Sequence, residues 1–241
     1  QVQFYTTIEF PSIIKFDGYY IAKKKQFIYI DSKEKGTLSD YISNKDNKRL
    51  DITNKLIIAY GISEAMNYLH ENNIVHRNLN PSVIFLDSNL YPYLSDFYKA
   101  VQKDTYFPYL LKEINYEYRA PEFLKDYTKF QSNFGLDIYA FAMTLYYLMF
   151  EIKPYSNCSK KITELLGDID TMNYRPDFPI PFPEELMFWK ELIIKCWDGT
   201  PSRRPNFDKI CKELEEYAFN DCNIDIDAFR NYKEKILEKL D

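Results

Sequence analysis

The most apolar stretch of this chain, Ile138 to Phe150, includes Thr144 and carries no charge. A segment apolar on every side is buried on every side, so this one predicts a helix through the middle of a core. A helix that crosses a bilayer needs about 20 such residues, and this run is too short for that. The rest of the chain must wrap around it. With 241 residues, 46% of them hydrophobic, there is material for one large core or two closely packed lobes.

Charge and residue usage remove several function classes. A net charge of −5 and a pI near 5.3 oppose a nucleic-acid surface, which shows as a basic stripe. The dense basic run Lys23-Lys24-Lys25 lies between two strand-like segments and reads as a solvated turn. Cys158, Cys196, Cys211 and Cys222 form no C-x-x-C pair and read as reduced thiols of an intracellular, cytoplasmic protein. His70 and His76 are the only histidines, too few for a multi-histidine zinc site. His70 stands at the end of a helical stretch, where it packs or caps. No charged flank and apolar leader opens the chain, and the start at Gln1 predicts a piece of a longer polypeptide.

The pattern of elements is mixed and then helical. Ile13 to Ile21 and Gln26 to Ile30 read as two strands joined by the lysine turn. Gly36 ends the extended run, and Thr37 to Ile42 begins a short helix. From Asp51 to Asn73 the residues Ile52, Leu56, Ala59, Tyr60, Ile62, Met66 and Leu69 recur at near-helical spacing, with Asp51 or Thr53 as N-cap. Short extended pieces follow at 84–86 and 91–94, then a loop-like segment at 96–122. Helices are expected at about 136–150, 184–197, 206–219 and 226–240, punctuated by prolines between Pro176 and Pro205. The last of these is amphipathic and would dock on the body of the domain or on a partner.

Chemistry enters with His76-Arg77-Asn78-Leu79-Asn80-Pro81-Ser82-Val83-Ile84-Phe85-Leu86-Asp87. Ser95-Asp96-Phe97-Tyr98 comes next, then Ala120-Pro121-Glu122, then Asp137-Ile138-Tyr139-Ala140-Phe141. Cys196-Trp197-Asp198 and Arg204-Pro205-Asn206-Phe207 complete the series. In this order and at this spacing the chain resembles a eukaryotic protein-kinase domain, nearest the tyrosine-kinase-like group, over about residues 1 to 218. The resemblance implies an α+β protein-kinase-like fold. Residues 1–35 would be a remnant of the small lobe and hinge, with a truncated β-sheet. Residues 36–218 would form a mostly helical large lobe, and 219–241 a C-terminal helical extension.

The resemblance also assigns roles. Glu122 matches the acid that pairs with an internal arginine, here Arg204. Asp137 matches the acid that anchors the catalytic loop from beneath. His76 and Phe97 match members of a packed column between the lobes, with Tyr5 and Phe16 as its other members, and Arg77 would contact a phosphorylated residue, a carboxylate or a carbonyl. Ile30 and Ser32 at the hinge and Phe85 on the floor would line what is left of a nucleotide pocket. Asp96 matches a metal ligand.

The groups that handle phosphate and metal are mostly changed. Asn78 stands where the catalytic aspartate is expected, and an amide cannot accept a substrate proton. Asn80 replaces a lysine that faces the transferred phosphoryl group. Val83 replaces a magnesium ligand and offers no oxygen to a hard cation. Tyr98 replaces a glycine with freedom at positive φ. No G-x-G occurs among the six glycines. The expectation is a pseudokinase without effective phosphotransfer and with no bound cofactor, acting on other proteins, an active kinase among them. An active serine/threonine kinase using ATP and magnesium, completed by upstream residues, is the alternative. A third reading is a fragment whose sheet edge needs the missing strands, or a partner, to stay soluble. Thr105, Tyr106, Tyr109, Tyr116 and Tyr118 are candidate phosphorylation positions that also read as packing or surface residues.

Overall fold

The computed structural model describes residues 6–22, 25–105, 115–125, 131–159, 162–171 and 174–237. Two strands come first, β1 (Phe16–Ala22) and β2 (Lys25–Ile30), paired antiparallel with an irregularity between Phe16 and Gly18. Of the lysine turn, Lys23 and Lys24 lie outside the described residues. Ile13, expected in the first strand, instead makes a lone parallel bridge to Leu94, so the strand begins three residues later than its pattern suggests.

Helices then take over. The helix α1 (Leu38–Ser43) is capped by Thr37, whose hydroxyl accepts from the Asp40 N–H. The long helix α2 (Ile52–Glu71) is capped by Asp51 through the Asn54 N–H at 2.8 Å. Two small antiparallel pairs follow. One is β4 (Ile84–Leu86) with β5 (Pro92–Leu94); the other joins β3 (Ile74–Val75) to β6 (Val101–Gln102). The second pair falls in stretches too short to show alternation, which is why the sequence pattern does not display it.

The large lobe is built on α2 and α4 (Gly135–Phe150), with α3 (Pro121–Lys125) between them in sequence. Every residue of α4 from Gly135 to Met149 is buried, as its uninterrupted apolarity requires. Around this pair pack α5 (Ile162–Thr171), α6 (Met187–Cys196), α7 (Phe207–Asn220) and α8 (Ile226–Leu237). In α7 the buried residues Phe207, Ile210, Cys211, Leu214 and Ala218 repeat at helical spacing and face α2. The last helix buries Phe229, Tyr232 and Ile236 on α2 and α7, so it docks on its own domain. Helix α5 and the short α3 are not among the expected helices; α5 lies just past the loop after Pro154, and α3 begins in the last two residues of the segment 96–122 that reads as a loop.

Lys55 is a buried cation with partners at the far end of α4. Lys55 donates to the Met149 carbonyl at 3.0 Å and to Glu151 at 3.2 Å, closing the C-terminal end of α4. Cys158, Cys196, Cys211 and Cys222 are all free thiols. Among the described residues no helix is long and apolar enough to cross a membrane.

Candidate active site

The site is assembled where α4, the segment 76–83 and the end of β5 meet. Asp137, in the first turn of α4 and fully buried, holds the turn at His76 and Arg77. Its carboxylate accepts the His76 N–H and the Arg77 N–H, each at 2.8 Å, and His70 Nε2 at 3.0 Å. Arg77 sits at φ 64°, a conformation that costs a side-chain-bearing residue of order 1–3 kcal/mol unless its surroundings enforce it. These bonds to Asp137 are the enforcement. Burial opposes ionisation of Asp137, but the His70 hydrogen bond and the Arg77 N–H hold its carboxyl below the usual range.

His70 was expected only to pack or cap at the end of a helix. It does pack, stacking on Phe134 with ring centroids 4.1 Å apart, and it also serves as the third donor to Asp137. His76 has a neutral tautomer dictated by its partners. Its Nε2–H donates to the Ser95 carbonyl at 2.9 Å, and its Nδ1 accepts the Asn78 N–H at 3.2 Å. Burial pushes its pKa below the ordinary value, in keeping with that neutral ring. The ring meets Phe97 edge-on at 5.1 Å, so two members of the expected column touch. Phe16 packs against the core as a partly buried side chain, and Tyr5 lies outside the described residues.

Asn78 is wired on both sides of its amide. Its Nδ2–H donates to Asp96 Oδ2 at 2.6 Å, while its Oδ1 accepts from Lys99 Nζ and Arg119 Nη2, each at 3.3 Å. Arg119 also donates to the Arg77 carbonyl. Neither Lys99 nor Arg119 was picked out from the sequence. Arg119 stands immediately before Ala120-Pro121-Glu122, and that adjacency was the available signal.

Asn80 is buried and occupied with its own loop. Its Oδ1 accepts the Ser82 N–H at 2.9 Å and its Nδ2 donates to the Asn78 carbonyl at 2.7 Å, capping the turn at 81–83. Val83 is buried in the core, and its carbonyl accepts both the N–H and the hydroxyl of Ser95 at 2.9 Å. Asp96 takes the left-handed conformation, φ 62°, between β5 and a turn at 97–99. Tyr98 lies inside that turn, outside the positive-φ region, with its side chain exposed. The left-handed residue here is therefore Asp96, two positions before the one where the lost glycine was expected to matter.

The hinge-side residues are spread along one edge. Ile30 ends β2 half-buried, Ser32 is exposed, and Phe85 is half-buried opposite Tyr93 in the β4–β5 pair. Lys35 N–H to Leu86 O at 3.0 Å and Leu86 N–H to Gly36 O at 2.9 Å fasten the hinge segment to β4. Farther away, Arg204 grips Glu122 with both arms of its guanidinium at 2.6 and 2.8 Å, and also donates to the carbonyls of Gly135 and Asp198. Tyr118 is held mostly out of water and its hydroxyl is correspondingly hard to ionise; Tyr106 and Tyr109 lie outside the described residues.

Compared with known protein families, residues 1–214 match the one described as protein tyrosine and serine/threonine kinase. The chain belongs to that family. Similar proteins include a probable serine/threonine-protein kinase of Dictyostelium discoideum, 26% identical over 89% of this chain and 16% of its own length. The dual specificity protein kinase shkB of the same organism is 29% identical over 84% of this chain and 31% of its own length. The serine/threonine/tyrosine-protein kinase HT1 of Arabidopsis thaliana is 28% identical over 86% of this chain and 51% of its own length. The chain thus spans about half or less of the length of these relatives.

Proposed function

We propose that this kinase domain has lost effective phosphotransfer and works as a protein-binding scaffold or regulator. The observation that carries this reading is Asn78: an amide fills the position of the proton acceptor and spends both its polar atoms on Asp96, Lys99 and Arg119. A carboxamide has no basic lone pair for a substrate hydroxyl. The loss of general-base catalysis alone is worth roughly 10²–10⁴ in rate. Asn80 brings no charge to a phosphoryl group, and its side chain is committed to the loop.

The residues present do not fit a magnesium site. A hard cation wants several oxygen ligands, whereas Asp96 offers one carboxylate already bonded to an amide, and Val83 is an apolar side chain packed in the core. The partner surface we favour is the segment around Tyr98, an exposed aromatic beside the inactive site. The loop after Pro154 remains a second candidate contact region. The C-terminal helix is a poorer one, because its apolar face is spent inside the domain.

The relatives favour a second reading, an ATP-dependent serine/threonine kinase completed by residues upstream, since they are named as kinases. Membership of the family supports that reading more than it supports the scaffold. Function resides in the site rather than in the fold, and here the site's chemistry points the other way. Thermal melting with and without ATP and magnesium, together with transfer of labelled γ-phosphate to a protein acceptor, separates the two. The scaffold reading expects no metal-dependent stabilisation and no transfer; turnover on the order of 1 s⁻¹ or faster would reject it.

A further inference from the structure

The C-terminal helix reaches the candidate site through a short chain of contacts. Tyr232 of α8 is fully enclosed and lies against Tyr91, with ring centroids 4.6 Å apart. Its hydroxyl occupies the space that a side chain on Gly61 of α2 would need, and Pro92 Cγ would be 2.6 Å from the same β-carbon. Glycine at position 61 is thus what lets the tyrosine in. The carbonyl of this same Gly61 accepts the buried Ser12 hydroxyl at 2.8 Å. The Ser12 carbonyl in turn accepts the Leu94 N–H at 2.8 Å, and Ile14 N–H donates to the Leu94 carbonyl at 2.8 Å. Leu94 ends the strand that runs through Ser95 into Asp96.

The rest of α8 is tied down along its length. Asp225 N–H donates to the Thr53 hydroxyl at 2.9 Å, and Phe229 meets Tyr60 edge-on at 5.1 Å. Glu215 of α7 receives Lys233 at 2.7 Å and the Tyr60 hydroxyl at 2.8 Å, so one carboxylate links α8, α7 and α2. A small gap bounded by Pro11, Pro92, Tyr232 and Ile236 marks where the helix abuts the segment that precedes β1.

We propose that Tyr232 is a positioning residue. By wedging against Gly61 and Pro92 it holds the segment 12–14 and the strand β5 together, and through them sets the place of Asp96. A tail helix of this kind makes the joint between the first strands and the helical lobe depend on whether α8 is docked. The inference holds whether or not the domain transfers phosphate.

Hydrogen exchange of the full chain tests it. In Tyr232→Ala, the Ile14 and Leu94 amides should exchange at least about tenfold faster, while amides of α4 between Ile138 and Leu148 keep their protection. Unchanged exchange at Ile14 and Leu94 would overturn the proposal. So would an equal rise across α4, because that would make α8 an ordinary part of the global core. Should Tyr232→Ala fail to fold, Lys233→Glu replaces the partly buried ion pair between α8 and α7 with two facing carboxylates and leaves Tyr232 in place. It should give the same selective pattern at about threefold; a flat or uniform response there would equally sink the idea.

Discussion

Asn78 and Arg204 show how differently two polar residues of one family pattern can be used. Asn78 turns its amide inward, to Asp96 on one side and to Lys99 and Arg119 on the other. Arg204 keeps its expected partner and adds two backbone carbonyls, with its side chain fully out of water. Replacing Arg204 with leucine would strip the largely buried Glu122 carboxylate of its guanidinium partner. Breaking such a buried pair from one side costs roughly 3–5 kcal/mol. Urea titration should show Arg204→Leu with an unfolding free energy lowered by that amount, read as a lower midpoint at an unchanged m-value. Of these two residues, the pairing of Arg204 was readable because motif order names both partners. The bonds of Asn78 were not, since Lys99 and Arg119 reach it from segments 21 and 41 residues away.

Elements place these residues through their ends. The first turn of α4 delivers Asp137 to the catalytic-loop turn, and the helix dipole favours an acid there. In Asp137→Asn one oxygen becomes an N–H donor facing other donors. Losing charge-assisted bonds to two backbone N–H groups and to His70 should cost roughly 2–4 kcal/mol, with fast amide exchange at His76 and Arg77 as its local mark. Urea titration of the variant checks the first figure and hydrogen exchange the second. The helices α2, α4, α7 and α8 and the β4–β5 pair were legible because periodicity or unbroken apolarity survives in each. The pairing of β3 with β6 was hidden by its length of two residues per strand, too short for a period of two to repeat.

Over the whole molecule, buried ionisable groups set the response to acid. His76 is held neutral by burial, with its pKa below the ordinary 6.5. As pH falls through that value the unfolded chain takes up a proton that the folded one refuses, so stability drops below about pH 6.5 by up to about 1.4 kcal/mol per unit. Asp137 adds a further loss as pH falls through its depressed folded value, below 3.8. Glu64, raised by burial, works in the opposite direction and regains some stability as pH falls through its folded value towards 4.5. Thermal melts from pH 7.5 to 5 should show the net decline, and His76→Gln should flatten the part between pH 6.5 and 5.5. An unchanged slope in that variant would remove His76 from the account.

Order of motifs along the chain was enough to name the fold, the Glu122–Arg204 pair and the anchoring role of Asp137. Those are statements about which residue types occur and in what order, and a linear string contains them. The partners of Asn78, the third donor to Asp137, the left-handed turn at Asp96 and the wedge of Tyr232 against Gly61 belong to the folded chain alone. Each joins groups far apart in sequence through contacts only a few ångströms long, and packing, which no local pattern encodes, chooses them.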